Sequence, residues 1–319
     1  MNTPSNAMPE SRDPQVNGSQ INDSQRIAPA ALPATRPLYW SIRRELWEYR
    51  SIYIAPLAVA ALFLIGFLIS TAHLPAKIRA ASALDPMRQN EIIEQPYDFA
   101  AMLLMATYLI VAVFYCLDAL HGERRDRSIL FWKSLPVSDF TTVLSKASIP
   151  FVVLPLITFA ITVVTQFVML LLSTLVLAGS GGGVATLWAN VPLFPMSLML
   201  LYHLMAMHGL YYAPFYGWLL MVSAWARRAA FLWAGLPLLA ISVVEKIAFN
   251  SWHFAGMLGN RVAGGPDAIT YPAQTSAMQH MPLVTLGEFL IDPGMWIGLV
   301  LFAAFFAAAV RLRRNQGPI

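Results

Sequence analysis

The sequence predicts an all-α membrane protein with six spanning helices, and three observations carry that prediction. From Ala147 to Ala226 not one Asp, Glu, Lys or Arg appears, and a charge-free stretch of that length would be insoluble as a water-facing domain. Of the 319 residues, 57% are hydrophobic and only 12% charged, against about 25% charged in an average soluble domain. The apolar runs are continuous rather than alternating, which excludes a closed β-barrel.

Taken in order, Met1 to about Arg36 is polar and rich in Asn, Ser, Gln, Pro and Asp. Residues 1–36 are expected to form a disordered cytoplasmic tail, because this composition does not offset the entropy of ordering. No apolar h-region marks a cleaved signal peptide. Residues 37–319 are expected to form one transmembrane domain. Leu38, Ile42, Leu46 and Tyr49 fall on one stripe of a helix, while Arg43, Arg44, Glu48 and Arg50 point elsewhere. With Trp40 and Trp47 at headgroup-seeking positions, this reads as an interfacial helix just before the first span.

Crossing the hydrocarbon takes roughly 20 apolar residues. Six segments meet or approach that length: 51–73, 99–120, 146–178, 195–226, 229–249 and 293–310. The third and fourth are longer than needed and are expected to tilt, kink or project. Pro150 and Pro155 are the expected kink points of the third, and Pro214 that of the fourth. Between spans, residues 74–98 are expected to hold a short surface helix. Ser180-Gly181-Gly182-Gly183 reads as a hinge, and Gly264-Gly265-Pro266 as a turn in the long loop 250–292.

Basic residues set the orientation. One side holds Arg36, Arg43, Arg44 and Arg50; Arg124, Arg125, Arg127, Lys133 and Lys146; Arg227 and Arg228; Arg311, Arg313 and Arg314. The other holds Lys77, Arg79, Arg88 and Arg261. Both termini are therefore expected in the cytoplasm. Basic residues clustered at span ends, not on one face, argue against nucleic acid as a partner.

Several chemistries are excluded by what the chain lacks. Its lysines are Lys77, Lys133, Lys146 and Lys246, and none follows a glycine, so there is no phosphate-cradling P-loop. His203 and His208 are five apart with no Glu between them, which is not the zinc-protease spacing. No nucleophile elbow occurs, and Cys116 is the single cysteine, which leaves neither a disulfide nor a Cys-rich metal site. No catalytic, metal or cofactor site is expected in this chain. Asp118 lies at one end of the second span, and Glu245 and Lys246 lie toward the other end of the fifth. None sits clearly at mid-bilayer, which removes the main support for an ion-coupled carrier.

The densest information lies between the second and third spans: Gly122-Glu123-Arg124-Arg125-Asp126-Arg127-Ser128-Ile129-Leu130-Phe131-Trp132-Lys133-Ser134-Leu135-Pro136-Val137-Ser138. Four apolar residues in a row are unusual for a plain positive-inside loop, which is the bland alternative. Glu123–Trp132 is expected to extend the second span as a short helix. Its arginines would meet a polar partner, with Ile129, Phe131 and Trp132 as buried interface anchors. Pro136 ends the element, Ser138 caps the next helix and Asp139 sits in its first turn.

This block resembles the cytoplasmic loop of ABC-2 type transporter permeases. So does Tyr211-Tyr212-Ala213-Pro214-Phe215-Tyr216-Gly217-Trp218 followed by Ser223-Ala224-Trp225-Ala226-Arg227-Arg228. The resemblance covers about Leu38 to Arg314. It implies a bacterial inner-membrane exporter subunit and a second permease copy. It also implies separate cytoplasmic ATPase subunits that use the ATP, with residues 123–136 as the coupling loop. Met205, His208, Tyr212 and Tyr216 form a stripe that would line a pathway or pack helices. Thr158, Thr162, Thr165 and Gln166 suit hydrogen bonds between helices in lipid. A polytopic membrane enzyme or assembly factor and an ATP-independent secondary carrier are the rival readings. No residue names a substrate.

Overall fold

The computed structural model describes residues 35–181, 183–262 and 291–319. The expected disordered tail, up to residue 34, and the turn at 264–266 lie outside them. Every regular element among the described residues is helical, and six helices are long and apolar enough to cross a membrane.

The amphipathic helix α1 (Thr35–Glu48) comes first. Ile42, Leu46 and Tyr49 pack against the bundle, while Trp40, Arg43 and Trp47 face outward. Arg43 lies over both indoles, at 5.2 and 5.1 Å from their centroids. Helix α2 (Ser51–Ser70) is apolar all round, as a spanning helix is. Ile52, Pro56, Ala60 and Phe67 turn inward, and Leu57, Leu62, Ile65 and Leu68 face out. A 3₁₀ turn at Thr71–His73 leads into α3 (Leu74–Ala81), the short helix expected in the 74–98 segment.

Helix α4 (Pro86–Ala119) begins well before the expected 99, with Pro86 in its first turn. Its 34 residues make it about 51 Å long, more than a hydrocarbon core requires. The surplus is the charged stretch before Phe99. It is followed by α5 (His121–Arg125), α6 (Ile129–Ser134) and α7 (Asp139–Ser148). Ser138 caps α7 by accepting from the Thr141 N–H at 3.1 Å, and Asp139 lies in its first turn.

Of the two expected kink points, Pro150 lies in a π-helical segment, Ile149–Val153, and Pro155 in the first turn of α8 (Leu154–Gly179) that follows it. A proline lacks the N–H that an α-helical ladder needs, and a wider turn accommodates the gap. Gly181 and Gly183, at φ 81° and 85°, reverse the chain into α9 (Val184–Asn190) and α10 (Leu193–His203).

The fourth span departs from expectation. It is not one helix kinked at Pro214. A π-helical segment, Leu204–Tyr211, ends in a break at Tyr212, and α11 (Ala213–Trp225) starts anew with Pro214 in its first turn. Then come α12 (Ala230–Phe249), α13 (His253–Val262) and α14 (Pro293–Asn315). Asn250 closes α12 in the left-handed conformation. Glu245, near the end of α12, accepts from the His253 and Phe254 N–H groups at 2.7 and 2.8 Å. Its role is to cap α13.

Helix α4 is central, packed by α2, α8 and α11, while α11 and α14 form the most extensive helix pair. At Gly217 a Cβ would stand 2.9 Å from the Phe302 side chain and 3.3 Å from its backbone, so only glycine allows this approach. One apolar core, including Tyr108, Tyr115, Ile149, Leu154 and Leu220, fills the half of the bundle nearer the α4 C-terminus. A second, including Phe67, Ile78, Tyr97, Met169 and Leu177, fills the opposite half.

Candidate functional site

The C-terminal ends of α1, α4, α11 and α14 meet the start of the α7–α8 span around the charged block. Tertiary structure divides that block into an inward and an outward part. Glu123 and Arg124 are buried, at 1% and 6% exposure, and do not face a partner.

Glu123 joins a seven-membered ionic cluster. It pairs with Arg44 of α1 at 2.9 Å, with Lys146 of α7 at 3.1 Å, and with Arg313 of α14. Lys146 also donates to both Glu45 carboxylate oxygens at 3.0 and 3.1 Å. Arg44 pairs with Glu45 as well, Arg313 reaches Asp139 at 3.1 Å, and Tyr115 donates to Glu45 at 2.9 Å. Arg44 also reaches the half-exposed Glu48 at 3.7 Å, so three cations meet four carboxylates, and Glu45 and Lys146 are wholly excluded from solvent. Buried charges persist only when paired and hydrogen-bonded, and here the pairing clasps four chain segments together.

Arg124 acts beside the clasp. Its guanidinium donates to the carbonyls of Ala224 at 2.5 Å and Ala226 at 3.2 Å, satisfying free carbonyls at the end of α11, and to that of Gly317, just past α14, at 3.3 Å. Ser223 of α11 reciprocates. Its hydroxyl donates to the Leu117 carbonyl at 2.7 Å and accepts from the Leu120 and His121 N–H groups at 3.0 and 2.9 Å. The junction of α4 and α5 is thereby held on both sides.

The expected single helix from Glu123 to Trp132 is broken. Arg127 takes a left-handed backbone, φ 58°, which ends α5 and re-aims the chain into α6. Ile129, expected as an outward anchor, is 1% exposed and packed inside the chain. Trp132, expected likewise, is half-buried under the Arg44 guanidinium, 4.0 Å from its centroid, and edge-on to Phe131 at 4.9 Å. Leu130 and Phe131, by contrast, are 59% and 60% exposed. Leu135 and Pro136 are exposed beside them, with Arg125, Asp126, Arg127 and Lys133 around the rim. Lys133 donates to the Arg314 and Gln316 carbonyls at 3.3 and 2.9 Å, which ties the rim to the end of α14.

The second candidate set is interior. His208 is wedged between the rings of Tyr108 and Tyr212, at 5.4 and 5.3 Å. The Tyr108 hydroxyl lies 2.7 Å from the Pro150 carbonyl, 3.2 Å from that of His208 and 3.0 Å from the Tyr216 hydroxyl. One buried tyrosine thus bridges the two π-helical segments. His208, Tyr212 and Tyr216 are buried and Met205 half-buried, so within one chain they pack helices. The α8 stripe is also buried: Gln166 donates across to the Tyr97 carbonyl at 3.2 Å, while Thr162 and Thr165 bond back to their own helix.

Glu45 and Tyr108 are the partners that sequence reasoning missed. Glu45 follows Ile42 by three residues and precedes Tyr49 by four, so it lies on the apolar stripe of α1. An acid on such a stripe is the available signal. Among the described residues no group of three His, Cys, Asp or Glu side chains is placed to hold a metal. No family profile, no curated protein and no solved structure matches the chain.

Proposed function

We propose that this chain is the membrane-spanning subunit of an ATP-driven ABC-2 type exporter in a bacterial inner membrane. It works as two copies with separate cytoplasmic ATPase subunits, and both its termini face the cytoplasm. ATP is bound and consumed by those partners, and this chain carries no cofactor. The reading rests on the motif resemblance and on one structural observation: α6 presents Leu130 and Phe131 outward, beside a buried network of ion pairs. Exposed aromatic and aliphatic side chains with a charged rim have the makeup of an interface hot spot. Behind them, Glu123 and Arg124 tie α5 to α1, α7, α11 and α14, while Trp132 and Lys133 tie α6 to Arg44 of α1 and to the end of α14. A push on α6 is thereby delivered to the ends of several helices at once.

The test is affinity purification of the full chain from its native membranes, with associated proteins identified by mass spectrometry. A P-loop ATPase is expected with the unaltered chain. Its recovery should fall at least roughly tenfold with the double variant Leu130→Ala/Phe131→Ala, since a buried hot-spot aromatic contributes about 2 kcal/mol or more. Leu62→Ala, on the outward face of α2, should leave recovery unchanged. Absence of any ATPase from the unaltered sample would overturn the assignment.

A further inference from the structure

At the end of the bundle opposite the clasp lies a cavity that the proposed function does not use. It is bounded by the end of α2, by α3 and by the first turns of α4, and holds about 330 Å³. Ligand pockets run from about 300 to 1,000 Å³, so this one suits a small or single-chain ligand. Phe67, Leu74, Ile78 and Ile93 supply apolar wall. Tyr97 and Ser173 contribute hydroxyls that face each other at 3.4 Å. Lys77 is the single charged residue on the lining, and it is exposed.

The level of this cavity relative to hydrocarbon follows from charge. Helix α4 carries Arg88, Glu91, Glu94 and Asp98, and then no charge until Asp118. The hydrocarbon boundary therefore falls near Asp98, beside Tyr97. Phe67 meets the Tyr97 ring at 6.3 Å and shares that level. Lys77 comes ten residues after Phe67, at most roughly 15 Å of helix farther on. Ile78 stands against Gly183, past the end of α8, which places α3 on the far side of the boundary. Leu84 and Ile92 are both exposed and part of the lining, so apolar side chains stand at the mouth of the cavity. Its polarity runs from apolar at the hydrocarbon boundary to cationic away from it, the same direction as an anionic amphiphile and with the complementary charge.

We propose that this cavity binds a single-chain anionic amphiphile, a fatty acid drawn from the adjoining leaflet, with its chain against Phe67 and its carboxylate at Lys77. Its size suits one acyl chain rather than two. The absence of an acidic residue from the lining favours an anion over a zwitterion. Binding of this kind needs neither an ATPase nor transport, so it stands apart from the exporter assignment.

The test uses the full chain in phosphatidylcholine nanodiscs with a photoactivatable fatty acid bearing a diazirine on its chain, and cross-linked peptides are mapped by mass spectrometry. Labelling is expected on the segments around Phe67–Leu84 and Ile92–Tyr97, well above that on the outward face of α12. Lys77→Glu, a surface change, should lower labelling by the acid about fivefold at subsaturating probe. The methyl ester of the same probe should label Lys77→Glu and the unaltered chain alike. Ala81→Phe, which fills the cavity, should lower labelling by both probes. Labelling spread equally over α12 would overturn the proposal, as would acid labelling that Lys77→Glu leaves unchanged.

Discussion

Glu123 and Ile129 illustrate how far a side chain's identity determines its work. Both stand in the segment most legible from sequence, yet both point into the protein. A linear pattern reveals that a charged, aromatic block exists, but which of its side chains turn inward depends on partners up to 190 residues away, such as Arg313. Two expectations follow at this scale. Lys146→Met leaves Glu45 and Glu123 short of a partner in a dry site and should cost about 3–5 kcal/mol. Adding Glu45→Met should restore much of that loss, read by thermal unfolding in detergent. If Lys146→Met unfolds like the unaltered chain, the clasp contributes nothing to stability. Ile129→Ala should cost about 2–5 kcal/mol as a cavity in a packed core, whereas the exposed Leu130→Ala should stay within about 0.5 kcal/mol. Equal losses at the two positions would contradict the inward and outward division of α6.

At the scale of elements, the six apolar segments were legible because hydropathy reports burial in lipid directly. Helix ends and breaks were not. The first turns of α4 carry charge, so a search for apolar runs misses them although the helix is continuous. In the fourth segment no charged residue marks the break at Tyr212, and what changes there is the hydrogen-bonding pattern, which a search for charge-free runs does not register. Proline gave a partial signal: Pro150 marks the π-helical segment, but Pro214 marks a helix start rather than a kink. The two π-helical segments share Tyr108 as a strut. Tyr108→Phe removes that hydroxyl and should cost about 0.6–2 kcal/mol, the range for hydrogen bonds between helices in lipid. Hydrogen exchange should rise at residues 149–153 and 204–211 and stay unchanged in α2. Uniform exchange across the protein would mean that the strut does not hold these segments.

For the molecule as a whole, the ends of α1, α4, α11 and α14 gather with the start of α7, so the basic residues flanking them lie at one end of the bundle. That grouping was legible from the basic-residue asymmetry alone, because a spanning helix must alternate sides. A reporter fused after Ile319 should read the cytoplasm, and one inserted between Gly264 and Gly265 the opposite side. Identical readouts would break the six-span topology. The purified chain should also show no saturable ATP binding, since none of its lysines stands in a phosphate-cradling loop. Measurable affinity would reassign energy coupling to this subunit.

The close approach at Gly217 carries a consequence for the connectivity of the chain. Where α11 and α14 run backbone against backbone, Trp218 also meets Phe305, at 5.5 Å between centroids. The seam joins two stretches separated in sequence by α12, α13 and the residues up to 291. It makes the covalent link between them dispensable in principle, so a chain severed between Val262 and Ile291 is expected to remain one particle. Fragments 1–262 and 291–319, produced together, should co-purify, and Gly217→Ala, whose methyl group wedges the seam apart, should separate them. The last helix is thus expected to behave as a keel held by shape alone, one that can be supplied as a separate piece.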